Sequence, residues 1–430
     1  MTPTRKDQRA SCPGLAGNFE ELKTRPVDAA EDLGTLFEES IPAFGGAWLR
    51  KAWILLDAAI GRGVPMTIAI SGPVTLSGQA LTWLNPLLET GWFAYLSTTD
   101  AVCYHDGHRA LDRAGGIYHV GLGEDDGALR DERVIRVTDV GFPEDTLLEQ
   151  DRFLRAVLRQ PEFQRRMSGT EFRNLLGRRY AAQELQNGVP EGLLALCWRK
   201  ALPIFVGAPG DGSVFLNSVY LWSLREAAGK AYAFELDPHL EVFESCAYHR
   251  WATQHSDVQA IGTLILGGGV PKNFNLQPEP MLGQVLGFEG VPGYLFDIQI
   301  TTAPVTDGSL SSCPPAEAVT WGKVDQHSYK STCVSVPADY SMVMPFLAKA
   351  LLERRARFAR WAERMGAEEL YAKHPAARGY LRDTAGYRLM DRREELVGAL
   401  LAEVKGRTPA MLAEEPYPLA PLAALEGSAR

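Results

Sequence analysis

The chain has no C-x-x-C pair: its six cysteines, Cys12, Cys103, Cys197, Cys246, Cys313 and Cys333, are scattered along 430 residues. That spacing supplies neither a disulfide framework nor a zinc quartet, and in a chain of this length it reads as reduced thiols. No apolar run approaches the roughly 18 residues that a membrane span requires. The opening stretch, MTPTRKDQRASCPGLAGNFEEL, lacks the apolar centre of a secretory signal. Both gaps make the cytoplasm the expected location and exclude a membrane partner. Positive charge is not in excess either. A net charge of −9 offers no general attraction to nucleic acid and suits a cationic small substrate. Neither G-x-x-x-x-G-K-[ST] nor G-x-G-x-x-G occurs, so a standard phosphate loop and the standard dinucleotide fingerprint are both excluded.

What is present is a soluble globular composition, with 46% hydrophobic and 23% charged residues. Short apolar runs at 67–71, 93–98, 202–206, 231–236, 262–266, 295–301 and 333–336 read as strands. Several are apolar almost throughout, as expected of a parallel sheet covered on both faces. Helical patterns lie between them at 47–60, 79–89, 146–167, 215–228 and 239–254; in the first, Trp48, Leu49, Ala52, Trp53, Leu56 and Ile60 form one stripe. The alternation predicts a doubly wound, mostly parallel α/β fold with helices on both faces. Residues 1–45 read as an N-terminal segment, 46–350 as the catalytic unit and 351–430 as a helical extension with an irregular tail from 408. Within that extension, Arg354, Arg355, Arg357, Arg360 and Arg364 read as a solvated helix face paired with nearby glutamates.

The loops after the strands hold small and polar residues: Ser71-Gly72-Pro73, Thr98-Thr99-Asp100, Gly210-Asp211-Gly212-Ser213, Gly267-Gly268-Gly269 and Thr302-Ala303. Five such loops at successive strand ends point to a nucleotide-sized ligand held by backbone N–H groups and helix N-termini. A lysine follows Trp321-Gly322 directly. An aromatic wall and a glycine give Lys323 a partly dehydrated setting, which lowers an amine from its usual value of about 10.4 and makes it a candidate covalent nucleophile.

Three blocks, GGGVPK (Gly267–Lys272), TTAPVTDGS (Thr301–Ser309) and EAVTWGK (Glu317–Lys323), resemble deoxyhypusine synthase in order and nearly in spacing. YHDGHRAL (Tyr104–Leu111), GDGS (Gly210–Ser213) and PAD (Pro337–Asp339) add to the likeness, which covers about residues 45–350. The resemblance implies an enzyme that uses NAD to oxidise the amine carbon of spermidine or putrescine. A lysine then captures the imine, an acceptor amine displaces it, and the hydride returns. Lys323 falls on that covalent lysine. NAD contacts fall on Ser71, Thr99, Asp211, Ser213, Gly267, Gly268, Gly269, Thr302, Ala303, Asp307, Ala338 and Asp339. Trp321 and Glu317 match residues lining the amine pocket. A homotetramer with active sites at dimer interfaces is also implied.

Departures from the family concentrate at the amine site. Asn273 stands where the family has a histidine that takes a proton during oxidation, and an amide is no base. Leu216 and Leu310 replace two aspartates that hold the far ammonium of spermidine, so the expected donor is longer, less charged or differently functionalised. Asp100 occupies a position where the family has a small residue near the nicotinamide, so it obstructs or retunes the NAD pocket. His105, with Asp106, is the acid–base candidate that remains, alongside a structural role for the same ring. His105, Asp106 and His108 supply too few ligands for a metal, so none is expected. The expected function is an NAD-dependent aminoalkyl transferase with a non-standard amine substrate. The alternatives are a homospermidine synthase using putrescine or spermidine, and a catalytically silent homologue that binds NAD or an amine.

Overall fold

Met66–Ile70 (β1), Phe93–Thr98 (β2), Ile204–Val206 (β3), Gly262–Leu266 (β4), Phe296–Thr301 (β5) and Cys333–Pro337 (β6) pair into one parallel sheet ordered β3-β2-β1-β4-β5-β6. This computed structural model describes residues 22, 24–111, 116–415 and 417–419. The N-terminal stretch read for a signal, apart from Leu22, lies outside them, as do Cys12 and the last residues of the tail. All residues of β1, β2, β4 and β5 are buried, which is why β1, β2 and β4 run largely apolar, whereas β5 alternates and buries Asp297, Gln299 and Thr301 on one face. The strand order reverses between β1 and β4. In doubly wound sheets that reversal opens a crevice at the carboxyl ends of the two strands, where ligands bind.

The main helices are Gly45–Gly61 (α1), Asp100–Leu111 (α2), Glu144–Leu158 (α3), Gly169–Asn187 (α4), Leu193–Arg199 (α5), Ser213–Ala228 (α6), Pro238–Gln254 (α7), Gly269–Leu276 (α8), Tyr340–Met365 (α9) and Arg393–Leu412 (α10). One large core joins the sheet to α1, α4 and α9 through Trp53, Leu176 and Leu347, and a second sits under α7 and α10 through Trp251, Leu396 and Leu400. The C-terminal residues therefore pack onto the wall that α7 provides. Arg250 on α7 pairs with Glu403 on α10 at 2.6 Å, and Arg393 pairs with Glu244.

Several sequence expectations need correction. The run 231–236 is not a sheet strand: only Glu235–Leu236 pair, with Arg166–Met167, in a separate two-residue ladder. Tyr232 and Phe234 alternate as a strand would, yet they pack near Phe172 in irregular chain. The helix expected over 146–167 stops at Leu158, where Pro161 opens a short 3-10 turn. Within 79–89 the first part widens to a π-helix, Ala80–Leu84, because Pro86 cannot donate back to residue 82. An antiparallel ladder of Tyr118–His119, Val140–Pro143 and Val134–Val137 was not expected.

The arginines of α9 do not form a purely solvated face. Arg354 pairs with Glu38 at 2.9 Å and Asp57 at 2.7 Å while stacking on Trp53, and Arg357 pairs with Asp32 at 2.7 Å. Their partners come from the segment before β1, not from neighbouring glutamates. The tail expected to be irregular from 408 stays helical to Leu412. Among the described residues no helix is long and apolar enough to cross a membrane, and Cys103, Cys197, Cys246, Cys313 and Cys333 are free thiols.

Candidate active site

The glycine run after β4 meets the end of β1 where the strand order reverses. Gly267 and Gly268 have φ values of 62° and 63°, left-handed conformations that glycine adopts without steric cost. A Cβ on Gly268 would lie 1.9 Å from Ser71 Oγ, and one on Gly269 2.8 Å from Leu310 Cβ. The loops after β1, β4 and β5 can close up only around glycine. Gly268 caps α8, so the unpaired N–H groups of that helix open into the crevice.

The residues expected to hold a cofactor all lie at this carboxyl edge. Ser71 follows β1, Thr99 follows β2, and Asp211 and Ser213 follow β3. Thr302, Ala303 and Asp307 follow β5, and Ala338 and Asp339 follow β6. Asp339 accepts from the Ser341 N–H and Asp307 from the Ser309 N–H, each at 2.7 Å through Oδ1. Asp100 is buried against the loop after β3, and its Oδ2 accepts from the Val214 N–H at 2.8 Å, at the start of α6. Burial pushes this carboxyl up to about 6, against that hydrogen bond.

Beside the crevice lies a cavity of about 850 Å³ whose lining includes Asn273, Leu310, Glu317, Trp321 and Lys323. These five expected site residues are thus brought together. The lysine is fixed by its main chain. A helical turn, Pro315–Val319, is capped by Thr320, and Gly322 follows with a φ of 75° that reverses the chain. The Lys323 N–H donates to Ala318 O at 3.1 Å, and its carbonyl accepts from the Tyr294 N–H at 2.9 Å. Nζ donates to Asn273 Oδ1 at 3.2 Å and lies 5.8 Å from the Trp321 ring centroid. Burial holds the amine below its ordinary 10.5, while Cys313 and Glu279 oppose the shift.

His105, Asp106 and Leu216 do not border this cavity within the chain. The His105 ring packs 4.8 Å from His108 and 6.3 Å from Phe142, and burial lowers it to about 4. Asp106 accepts from the N–H groups of Leu193 at 3.0 Å and Leu194 at 2.8 Å, capping α5. Burial nevertheless raises that carboxyl to about 6. Leu216 is exposed on α6 beside Val219, Tyr220 and Trp222, which are exposed as well.

Four charged groups near the lysine were not singled out in the sequence. Lys272 is buried and donates to Gln299 Oε1 at 2.7 Å and to the Cys313 carbonyl. Beneath it, burial lifts Asp297 to about 7, against the pull of Lys272. Glu241 lines the cavity but is committed, pairing with Arg173 at 2.7 Å and accepting from the Val206 N–H at 3.2 Å. Glu279 lies against Gly322. The only hint of that contact in the sequence is a glycine directly before the lysine.

The family model for deoxyhypusine synthase matches residues 36–351. A deoxyhypusine synthase-like protein from Cyanothece sp. is 37% identical over 78% of this chain and 83% of its own. One from Thermosynechococcus vestitus is 36% identical over 76% of this chain and 80% of its own. A solved structure from Entamoeba histolytica, described as a candidate deoxyhypusine synthase, aligns over 76% of this chain and 94% of its own at 14% identity and a TM-score of 0.42, too loose a likeness to add weight. With a parallel sheet of dinucleotide-fold order and a lysine-bearing cavity at its carboxyl edge, the chain belongs to the deoxyhypusine synthase family.

Proposed function

We propose that this protein is an NAD-dependent aminoalkyl transferase that works through an imine on Lys323 and takes an amine other than free spermidine. The family's general activity is NAD-dependent aminobutyl transfer from polyamines. The observation that carries the finer reading is the half-buried Lys323 amine, held against Asn273 and Trp321 in a cavity next to the glycine turn of β4. The family is generally oligomeric, and a homotetramer is the assembly this reading carries. Residues 46–350 are its catalytic unit and 351–430 an extension. His105 and Leu216 enter it only as groups that a second copy would bring to the cavity, and Asp106, buried with both oxygens on α5, enters it as a structural cap.

The crevice fits a dinucleotide. A Cβ at Gly268 would fill the space left between Ser71 and the turn, and Ser71, Thr99, Asp211, Ser213, Thr302, Ala303, Asp307, Ala338 and Asp339 surround it as candidate contacts. Bound there, NAD would take up hydride from the amine carbon and return it. Gly268→Ala combines a positive φ with a clash at Ser71, and is expected to weaken NAD binding about tenfold or more by calorimetry.

The chain's own side chains do the rest. Trp321 offers a ring face to an ammonium. Of the carboxylates lining the cavity, Glu241 is tied to Arg173, which leaves Glu317 to pair with a cation. Leu310 adds an apolar wall where a second ammonium would find no partner. A single free carboxylate suits one ammonium beyond the reacting amine. Glu317→Gln is therefore expected to raise KM for the amine about tenfold with little change in kcat.

The direct test is incubation with NAD and a panel of mono- and diamines, followed by borohydride and mass mapping. An amine-derived mass on Lys323 that requires NAD is expected. No adduct with any amine, or equal adducts after Lys323→Ala, would overturn the reading. Rapid turnover of free spermidine would overturn the part concerning the substrate.

A further inference from the structure

Imine formation on a lysine needs a second group. The ammonium must lose a proton before it attacks, and the leaving nitrogen must gain one before its bond to carbon breaks. Asn273, the hydrogen-bond partner of Lys323, can do neither. His105 does not border the cavity within the chain, and Glu241 is locked to Arg173.

Glu279 meets the requirement. It lies on the short helical turn Pro278–Pro280, after α8, and its neighbours Gln277, Pro280 and Met281 line the cavity. A Cβ on Gly322 would lie 2.7 Å from both Glu279 carboxylate oxygens and 2.8 Å from Cδ. The carboxylate therefore rests on the backbone of the residue that precedes Lys323. Gly322, at a φ of 75°, provides both that space and the chain reversal that presents the lysine. Among the described residues Glu279 accepts no hydrogen bond, so both oxygens are uncommitted. It is half-buried, and burial raises it while Lys323 opposes the shift. Lys272 donates to Gln299 and to the Cys313 carbonyl, and Glu317 lines the cavity as the carboxylate assigned to the bound cation.

We infer that Glu279 is the acid–base partner of Lys323, exchanging protons with its amine through one bridging water. The inference rests on the imine reading given above. In the resulting step, the carboxylate first receives a proton from the Lys323 ammonium. The neutral amine adds to the carbon of a protonated imine, forming a C–N bond as the C=N electron pair moves to the substrate nitrogen. Glu279 gives the proton it holds to the departing nitrogen and takes one from the lysine nitrogen in exchange, so it stays protonated until solvent takes that proton. The C–N bond to the departing nitrogen then breaks, the amine leaves neutral, and the lysine imine keeps the positive charge. With an aldehyde the same exchange expels water in place of the amine. Glu279 reaches both nitrogens only through water and touches neither the reacting carbon nor the cofactor, so it is a proton-relay residue.

A proton relay and a simple counter-ion at Glu279 would affect Lys323 in opposite ways. The Glu279 carboxylate favours the ammonium form of Lys323. Removing its charge in Glu279→Gln should move the titration of Lys323 to lower pH, leaving more of the amine neutral. A counter-ion alone would therefore give equal or faster lysine chemistry in the variant. A proton relay gives slower chemistry from a more neutral lysine.

The test uses the full chain and butanal with cyanoborohydride, which needs no NAD, and follows the rate of capture on Lys323 from pH 6 to 10. In Glu279→Gln the midpoint should fall while the rate above it drops on the order of a hundredfold, with Glu279→Asp recovering part of the loss. The NAD-dependent turnover of the amine found in the trapping experiment should drop in parallel. A capture rate in Glu279→Gln equal to or above that of the unsubstituted protein overturns the inference. So does a Glu279→Asp variant no faster than Glu279→Gln. If butanal capture behaves as expected while no NAD-dependent adduct forms with any amine, the relay stands and the transferase reading falls.

Discussion

Replacing Lys323 with alanine is expected to lower amine turnover on the order of a thousandfold or more, while leaving the protein folded. The loss should be that large because, among the described residues, no other uncommitted amine lines the cavity. Lys272, the other lysine in the cavity, is buried with its hydrogens directed at Gln299 and the Cys313 carbonyl. The structural cost should be small, because the Lys323 side chain makes one hydrogen bond, to Asn273, and the loop is held by main-chain bonds to Ala318 and Tyr294. The unsubstituted protein should also show a distinctive pH dependence. Only the neutral amine attacks, so capture of an aldehyde should rise with pH. Its midpoint should lie below the ordinary 10.5, because burial disfavours the ammonium. A midpoint at or above 10.5 would mean that the pocket does not activate the lysine.

Arg173→Ala should be the most damaging substitution to stability, costing about 3–5 kcal/mol. Arg173 and Glu241 are 3% and 6% exposed. The arginine also donates to the Ile204 carbonyl at 3.1 Å, and the glutamate accepts from the Val206 N–H. The pair thus ties α4 and α7 to β3 at the back of the cavity. Without Arg173 a buried carboxylate has no cation. The deficit should itself depend on pH. Burial raises Glu241 above its ordinary 4.5, with Arg173 opposing, so removing Arg173 raises it further. A carboxyl raised in the folded state favours folding at low pH, and that benefit disappears as pH rises through the folded value. The stability deficit of Arg173→Ala should accordingly be smallest below pH 4.5 and reach its full size near neutrality, as denaturant titrations would show. Adding Glu241→Gln should recover much of it, because an amide needs no cation and its oxygen can still accept from Val206. A deficit that is flat across pH would show that lost packing, not the stranded charge, sets the cost.

The sheet was largely legible in the sequence because central parallel strands are short, apolar on both faces and separated by longer helical patterns. That logic failed where burial was polar or local. Helix α4 carries Arg173, Gly177 and Glu184 on its buried side, so no apolar stripe announces it. Tyr232 and Phe234 mimic a strand because packing against Phe172 also favours alternate aromatic residues. At the site, Lys323 was legible because Trp321 and Gly322 adjoin it. The arginines of α9 were misread because their partners, Asp32, Glu38 and Asp57, lie far upstream in the chain. Glu279 was invisible for a related reason: its contact with Gly322 is made through space, and a glycine does not reveal what rests on it.

Lys323 is anchored by hydrogen bonds of its own backbone, whereas Leu310, Val270 and Val285 reach the cavity rim from other segments with their side chains exposed. Natural drift or laboratory selection can therefore exchange rim side chains one at a time without moving the nucleophile. New donors should be reachable by single substitutions at 270, 285 or 310, each intermediate keeping a reactive lysine. Changes at 293, where a Cβ would strike the Gly322 carbonyl at 2.5 Å, should end the lineage at once.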